Sequence, residues 1–120
     1  MKIVKSFAFA LNGLKICFTA ETNFKIHSLF AIIAIVLAIG LHIPTFEWLL
    51  IIFCIALVMV IEMINTAIEK LCDVVQKDFH PAIKKIKDIA AGAVLVTATC
   101  SLIVGTVIFL PKIFSFINSL

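Results

Sequence analysis

Residues 48–73 read Trp48-LLIIFCIALVMVI-Glu62-MINTAIEKLC-Asp73, an apolar run of membrane length that ends on acids and an amide. An α-helix advances about 100° per residue, so Glu62, Asn65, Glu69 and Asp73 fall within one narrow arc. Carboxylates are costly in hydrocarbon, and a row of them at a bilayer edge marks a functional site by default. Acids sharing one face repel each other unless a cation or protons sit between them. That face is therefore a candidate metal or proton site, reached from the water side of a membrane.

The rest of the chain agrees with a membrane setting. It is 63% hydrophobic, with a mean hydropathy of +1.24, where soluble domains are nearer half apolar. No polar stretch is long enough for a second domain. Every basic residue is a lysine, the net charge is only +3, and no Arg-rich or aromatic-interleaved patch suits nucleic acid, which excludes that class of partner. Cys17, Cys54, Cys72 and Cys100 are far apart with no CxxC pair. They are expected as buried, reduced thiols, Cys54 and Cys100 lying within apolar runs. Asn12 interrupts the N-terminal apolar stretch too early for a secretory signal peptide.

The expected fold is an all-α membrane protein, one domain over residues 1–120. Ile3, Phe7, Ala10, Leu11, Leu14 and Phe18 recur at helical spacing between Lys5, Asn12 and Lys15. This describes an amphipathic surface helix over about 3–20, lysines toward the headgroups. Transmembrane helices are expected over about 26–42, 46–64 (continuing to 75) and 88–110. Gln76–Lys85 reads as a polar loop, and Pro111 with Lys112 as the end of the last helix. Lys2, Lys5, Lys15 and Lys25 precede the first span; Lys70, Lys77, Lys84, Lys85 and Lys87 lie between the second and third; residues 42–47 hold none. The positive-inside rule then puts the N-terminus and the 62–88 region in the cytoplasm and the C-terminus outside.

The uncommon residues collect at one level of the bilayer: Glu21 at the first junction, Glu62 to Asp73 on the second span, Lys87 and Asp88 at the start of the third. Carboxylates and an amide suit a hard cation such as Mg²⁺, which takes one or two protein carboxylates plus substrate phosphates. Lys87, near a helix N-terminus, suits phosphate oxygens. Glu62, one turn deeper, is placed to reach the hydroxyl of a molecule dissolved in the membrane. That division points to phosphoryl transfer across the interface. Plainer roles compete. Lys87 and Asp88 form a surface pair, Glu69, Asp73 and Asp78 are solvated acids, and Asn65 is an interhelical hydrogen bonder. His27 and His42 are interfacial caps, and Trp48 is a belt residue. Spacing alone supports a cytoplasm-facing metal or proton site and stops there.

The segment Glu62-Met-Ile-Asn65-Thr-Ala-Ile-Glu69, with His80-Pro81 and Lys87-Asp88-Ile-Ala-Ala-Gly-Ala-Val-Leu95, resembles the prokaryotic diacylglycerol kinase family, which includes undecaprenol kinases. The similarity runs from about Lys2 to Pro111. It implies a lipid kinase of the bacterial cytoplasmic membrane: a homotrimer with active sites between subunits, using ATP and Mg²⁺ to phosphorylate a lipid hydroxyl. The resemblance makes Glu62 the general base, assigns Asn65 to positioning the reacting groups, and gives the metal to Glu21 and Glu69. It places Lys87 and Asp88 against the nucleotide, with Asp78, Phe79 and His80 near it. Lys2 and Phe9 fall at further nucleotide positions, where the family often has Arg and Tyr. There is no Walker A loop; the resemblance implies a different phosphate site.

The segment Ala20-Glu21-Thr-Asn23-Phe-Lys-Ile-His27, the His42-Ile-x-x-x-Glu47-Trp48 turn and the Ile108-Phe-Leu-Pro111 ending look more like the undecaprenol kinase branch, which favours a polyprenol acceptor over diacylglycerol. The alternative function is an oligomeric proton or ion channel or carrier using the same carboxylates. A pore wants polar residues at mid-membrane depth, and residues 28–41 and 48–61 offer almost none. Ala90, Ala91, Gly92, Ala93 and Gly105 are candidates for close contact between subunits.

Overall fold

Four helices carry the whole chain, described for residues 1–120 by a computed structural model. They are α1 (Lys2–Ala20), α2 (Thr22–Leu41), α3 (Thr45–Val75) and α4 (Pro81–Asn118). All four are long and apolar enough to cross a membrane, and α1 is the least apolar. Glu21 takes an extended conformation that separates α1 from α2. The corner there is fixed by Phe18 and Phe24, whose rings meet edge to face with centroids 4.7 Å apart; Phe24 is only 1% exposed. His42 ends α2 in the left-handed region at φ 54, a conformation that costs a non-glycine residue strain. It lets the chain reverse, and Pro44 then leads into α3.

α3 and α4 form the most extensive helix pair, α2 packs on both, and α1 packs chiefly on α2. Ala38, Ile43, Ile51, Ile108 and Phe109 close the core at the end opposite the acids, with Trp48 half-buried against them. Only 13 of 120 residues are buried, so most of the apolar surface faces outward, as expected where the solvent is lipid. At about 1.5 Å per residue, α3 is about 46 Å long against a hydrocarbon core of about 30 Å. α3 is therefore longer than a bilayer needs, and its polar end is the one carrying Glu69 and Asp73.

The helix bounds differ from the sequence expectation at α4. This helix starts at Pro81, inside the segment read as a loop. His80 caps it, its Nδ1 accepting a hydrogen bond from the Ala82 N–H at 3.1 Å, and proline suits a first-turn position because its missing N–H has no helical partner there. At the other end α4 runs through Pro111 to Asn118 instead of stopping at Pro111 and Lys112. Proline removes one helical hydrogen bond, a loss that neighbouring helices can offset in membranes. Here Lys112 Nζ lies 2.8 Å from Glu47 Oε1 on α3, and Ile113 packs on the core, so contacts on both sides hold the helix past the proline. The cysteines also depart from expectation. All four are free thiols, but the buried ones are Cys17 and Cys72 near the polar end, while Cys54 is half-buried and Cys100 exposed.

Candidate active site

Helical periodicity places Glu62, Asn65, Glu69 and Asp73 on one face of α3, and burial falls along it. Glu62 is 2% exposed, Asn65 6%, Glu69 half-buried and Asp73 exposed. The face thus passes from the bundle interior to water within three turns. A buried carboxylate needs partners. Glu62 finds one across the helix interface: Oε2 lies 3.4 Å from His27 Nε2 on α2. That separation is within ion-pair range, but the atoms are not aligned as a hydrogen bond, and Oε2 is left with no hydrogen-bond partner.

The neighbouring groups are tied to one another. Asn65 Nδ2 donates to Glu69 Oε1 at 3.3 Å, leaving Asn65 Oδ1 buried and unpartnered. Glu21 Oε1 lies 3.7 Å from Lys70 Nζ, so the α1–α2 corner is held against α3. Glu21 and Glu69 are both near enough to Glu62 for their charges to act on it, and Cys17 of α1 is within electrostatic range of Glu21, Lys70 and Glu62. Three carboxylates from two parts of the chain therefore share one neighbourhood with His27.

Lys87 extends the polar face onto α4 before the apolar run that begins at Ile89. Its Nζ donates to Asp73 Oδ1 at 2.6 Å. That hydrogen bond holds the ammonium pKa above its ordinary value, and Asp73, Cys72 and Glu69 add to the effect. Asp88 is turned to Lys84, whose Nζ donates to it at 2.6 Å. Lys2, Phe9, Asp78, Phe79 and His80 are exposed, and none hydrogen-bonds to the buried set. Glu21, Glu62, Asn65 and Glu69 are thus brought together, Lys87 stands at their edge, and the other candidates lie on open surface.

His27 is the participant that sequence reasoning missed. It sits within α2, not at a cap; the caps are His42 and His80. The neighbours of His27, Lys25 and Ser28 among them, give no local sign of its partner, because the contact joins residues far apart in the chain. His27 also stands at the polar end of an apolar cavity of about 540 Å³ between α2, α3 and α4, which runs past Leu37, Cys54 and Val58 to Phe109 and Ile113. This volume is within the range of small-molecule sites, roughly 300–1,000 Å³.

No group of three or more His, Cys, Asp or Glu side chains is gathered tightly enough to cage a metal ion. A magnesium ion needs no such cage, because it keeps waters and phosphate oxygens in its shell and takes only one or two carboxylates. The donors here fit that use: half-buried Glu21 and Glu69, beside the unpartnered Asn65 Oδ1.

Comparison with known proteins gives this arrangement a context. The family model described as prokaryotic diacylglycerol kinase matches residues 8–109. The chain is 37% identical to the undecaprenol kinase of Bacillus subtilis over 112 residues, 93% of this chain and 91% of the relative. It is 35% identical over 114 residues to a diacylglycerol kinase of Synechocystis, 94% of this chain and 65% of that longer protein. With a diacylglycerol kinase of Helicobacter pylori strain J99 it shares 38% identity over 95 residues, 79% of this chain and 74% of the relative.

Proposed function

This chain belongs to the prokaryotic diacylglycerol kinase family, and on that premise we propose that it transfers the γ-phosphoryl group of ATP to the hydroxyl of a membrane lipid at the cytoplasmic interface. The product is a lipid phosphate, and the acceptor is undecaprenol or diacylglycerol. The observation that carries this reading is Glu62: 2% exposed, with an oxygen free of hydrogen bonds, and paired with a histidine at the end of an apolar cavity. A carboxylate so placed is a base for a proton that arrives from the lipid side.

In the reaction Glu62 takes the proton of the lipid hydroxyl as its oxygen bonds to the γ-phosphorus and the bond from that phosphorus to ADP breaks. Asn65 holds Glu69 through its amide and presents its carbonyl oxygen to the reacting groups. Glu21 and Glu69 would hold the metal. A bound Mg²⁺ would neutralise charge on the transferring phosphate. Lys87, which needs only to turn from exposed Asp73, meets phosphate oxygens as a point charge. Asp88, Asp78, Phe79, His80, Lys2 and Phe9 form the outer nucleotide surface.

The same reading makes α1 a surface helix and puts the N-terminus and the loop at 76–80 on the cytoplasmic side, where the lysines concentrate. It also makes the protein a homotrimer. One chain leaves its polar face covered by few helices, and neighbouring copies would close it.

The test is purified protein in bilayers with Mg-ATP, offered undecaprenol, diacylglycerol and a simple long-chain alcohol separately. Lipid phosphate should form, fastest with undecaprenol. Faster turnover of diacylglycerol reverses the acceptor preference, and ATP consumption with no lipid phosphate in any sample refutes the kinase reading.

A further inference from the structure

We infer that His27 is a positioning residue for this chemistry: its imidazole lines the polar end of the α2–α3–α4 cavity and holds the Glu62 carboxylate behind it toward the hydroxyl of a lipid whose chain occupies that cavity. The inference rests on the lipid-kinase reading and adds a residue and a chain-binding surface to it.

The argument is one of elimination among donors. Glu62 is buried, and a buried carboxylate without a donor is strongly disfavoured. Asn65, one turn away, gives its amide hydrogen to Glu69. Ser28, beside His27 on α2, gives its hydroxyl to the Phe24 carbonyl at 2.8 Å. Lys70 is engaged by Glu21, Lys87 by Asp73, and Lys84 by Asp88. Thr66, buried one turn on from Glu62, makes no hydrogen bond to it, and among the ionisable side chains the His27 ring alone lies within ion-pair distance of Glu62, at 3.4 Å. The terminal torsion of a histidine side chain lies in a broad well, so a small rotation turns this contact into an N–H···O hydrogen bond.

Histidine suits the task better than lysine or arginine would. A neutral imidazole donates through one nitrogen without placing a permanent full charge beside the base. It can thus fix the direction of the carboxylate while leaving it free to accept a proton. Its second contribution is location. The cavity lining beyond His27 is apolar apart from Ser101 and Thr106, and the Thr106 hydroxyl is spent on the Leu102 carbonyl at 2.8 Å. A hydrocarbon chain laid between α2, α3 and α4 therefore meets almost no competing polar group until its end reaches His27, with Glu62 behind it.

Three substitutions separate positioning from space-filling. His27→Phe keeps a ring and loses the donor. His27→Gln keeps an N–H at similar reach and loses the ring, and His27→Ala loses both. Lipid phosphorylation is measured alongside the thermal midpoint and the KM for ATP. The expected result is a fall in kcat of about 100-fold for Phe and Ala, the size of effect that misplacing a reacting group by about 1 Å produces. The KM for ATP stays unchanged, and Gln stays within about tenfold of the wild type. An active Phe variant with an impaired Gln variant would assign His27 to packing and overturn the inference. A separate reading needs no turnover: the ¹⁵N signals of the His27 ring, identified by their loss in His27→Gln, should move in Glu62→Gln. Unmoved signals overturn the contact even in an active kinase. A protein that phosphorylates no lipid but shows the shift refutes the kinase reading and the catalytic role of His27, and leaves only the contact.

Discussion

Replacing Glu62 with Gln changes one oxygen to an NH₂ group and removes a charge, with almost no change in volume. The side chain is 2% exposed, so water cannot readily take over as a base. General-base catalysis contributes about 10²–10⁴ in rate, or about 2.7–5.4 kcal/mol at about 1.36 kcal/mol per decade. A fall in kcat of that size is expected. Folding should not suffer, because the amide escapes the cost of burying a charge and the repulsion from Glu69 and Glu21, which together offset the lost attraction to His27. Nucleotide affinity should stay near the wild-type value, since Glu62 is not assigned to the metal. The assay is single-turnover transfer of labelled phosphate to lipid, with ATP binding by equilibrium dialysis and the thermal midpoint measured on the same samples. A variant retaining more than a tenth of the wild-type rate would refute the assignment of Glu62 as base. A variant that lost ATP binding in step with turnover would move Glu62 to the metal site instead.

Glu69→Gln should raise the Mg²⁺ concentration needed for half-maximal ATP binding by about tenfold or more, because the amide can still accept from Asn65 but carries no charge; an unchanged Mg²⁺ titration would remove Glu69 from the metal site. Phe24→Ala should cost about 3–5 kcal/mol, since Phe24 is 1% exposed and meets Phe18 at 4.7 Å, and proteolysis within α1 should speed up; a thermal midpoint equal to wild type would contradict this account of the corner. Lys112→Ala should lower stability by about 1 kcal/mol, as expected for a partly exposed pair, and leave initial transfer rates unchanged; thermal denaturation in micelles reads the first and a lipid assay the second. Gly92→Leu meets open space within one chain, so the monomer fold should survive while sedimentation shows loss of the proposed trimer; a trimer that persists in the variant would place Gly92 away from the subunit contact.

The polar face of α3 was legible because it depends on one periodicity. A helix through residues 48–73 puts Glu62, Asn65, Glu69 and Asp73 on one side whatever surrounds it, and the apolar residues before Glu62 show where the bilayer begins. What eluded the sequence was pairing between helices. His27 and Glu62 meet because α2 packs on α3, and Lys87 meets Asp73 because α4 does. Pro111 shows the limit from the other side. A proline read alone stops a helix, yet the Lys112–Glu47 pair and the packing of Ile113 carry α4 onward. His80 and Pro81 carried a readable cap signal that polar neighbours obscured.

Sidedness tests the account most directly. Vesicles holding the protein in one orientation, with undecaprenol in the bilayer and labelled Mg-ATP on one side only, should yield lipid phosphate when the ATP shares the side of the 76–80 loop and none when it is opposite. Equal labelling from both sides, or labelling only from the side of the loop at 42–44, would mean that the acidic face of α3 is not where nucleotide and lipid meet.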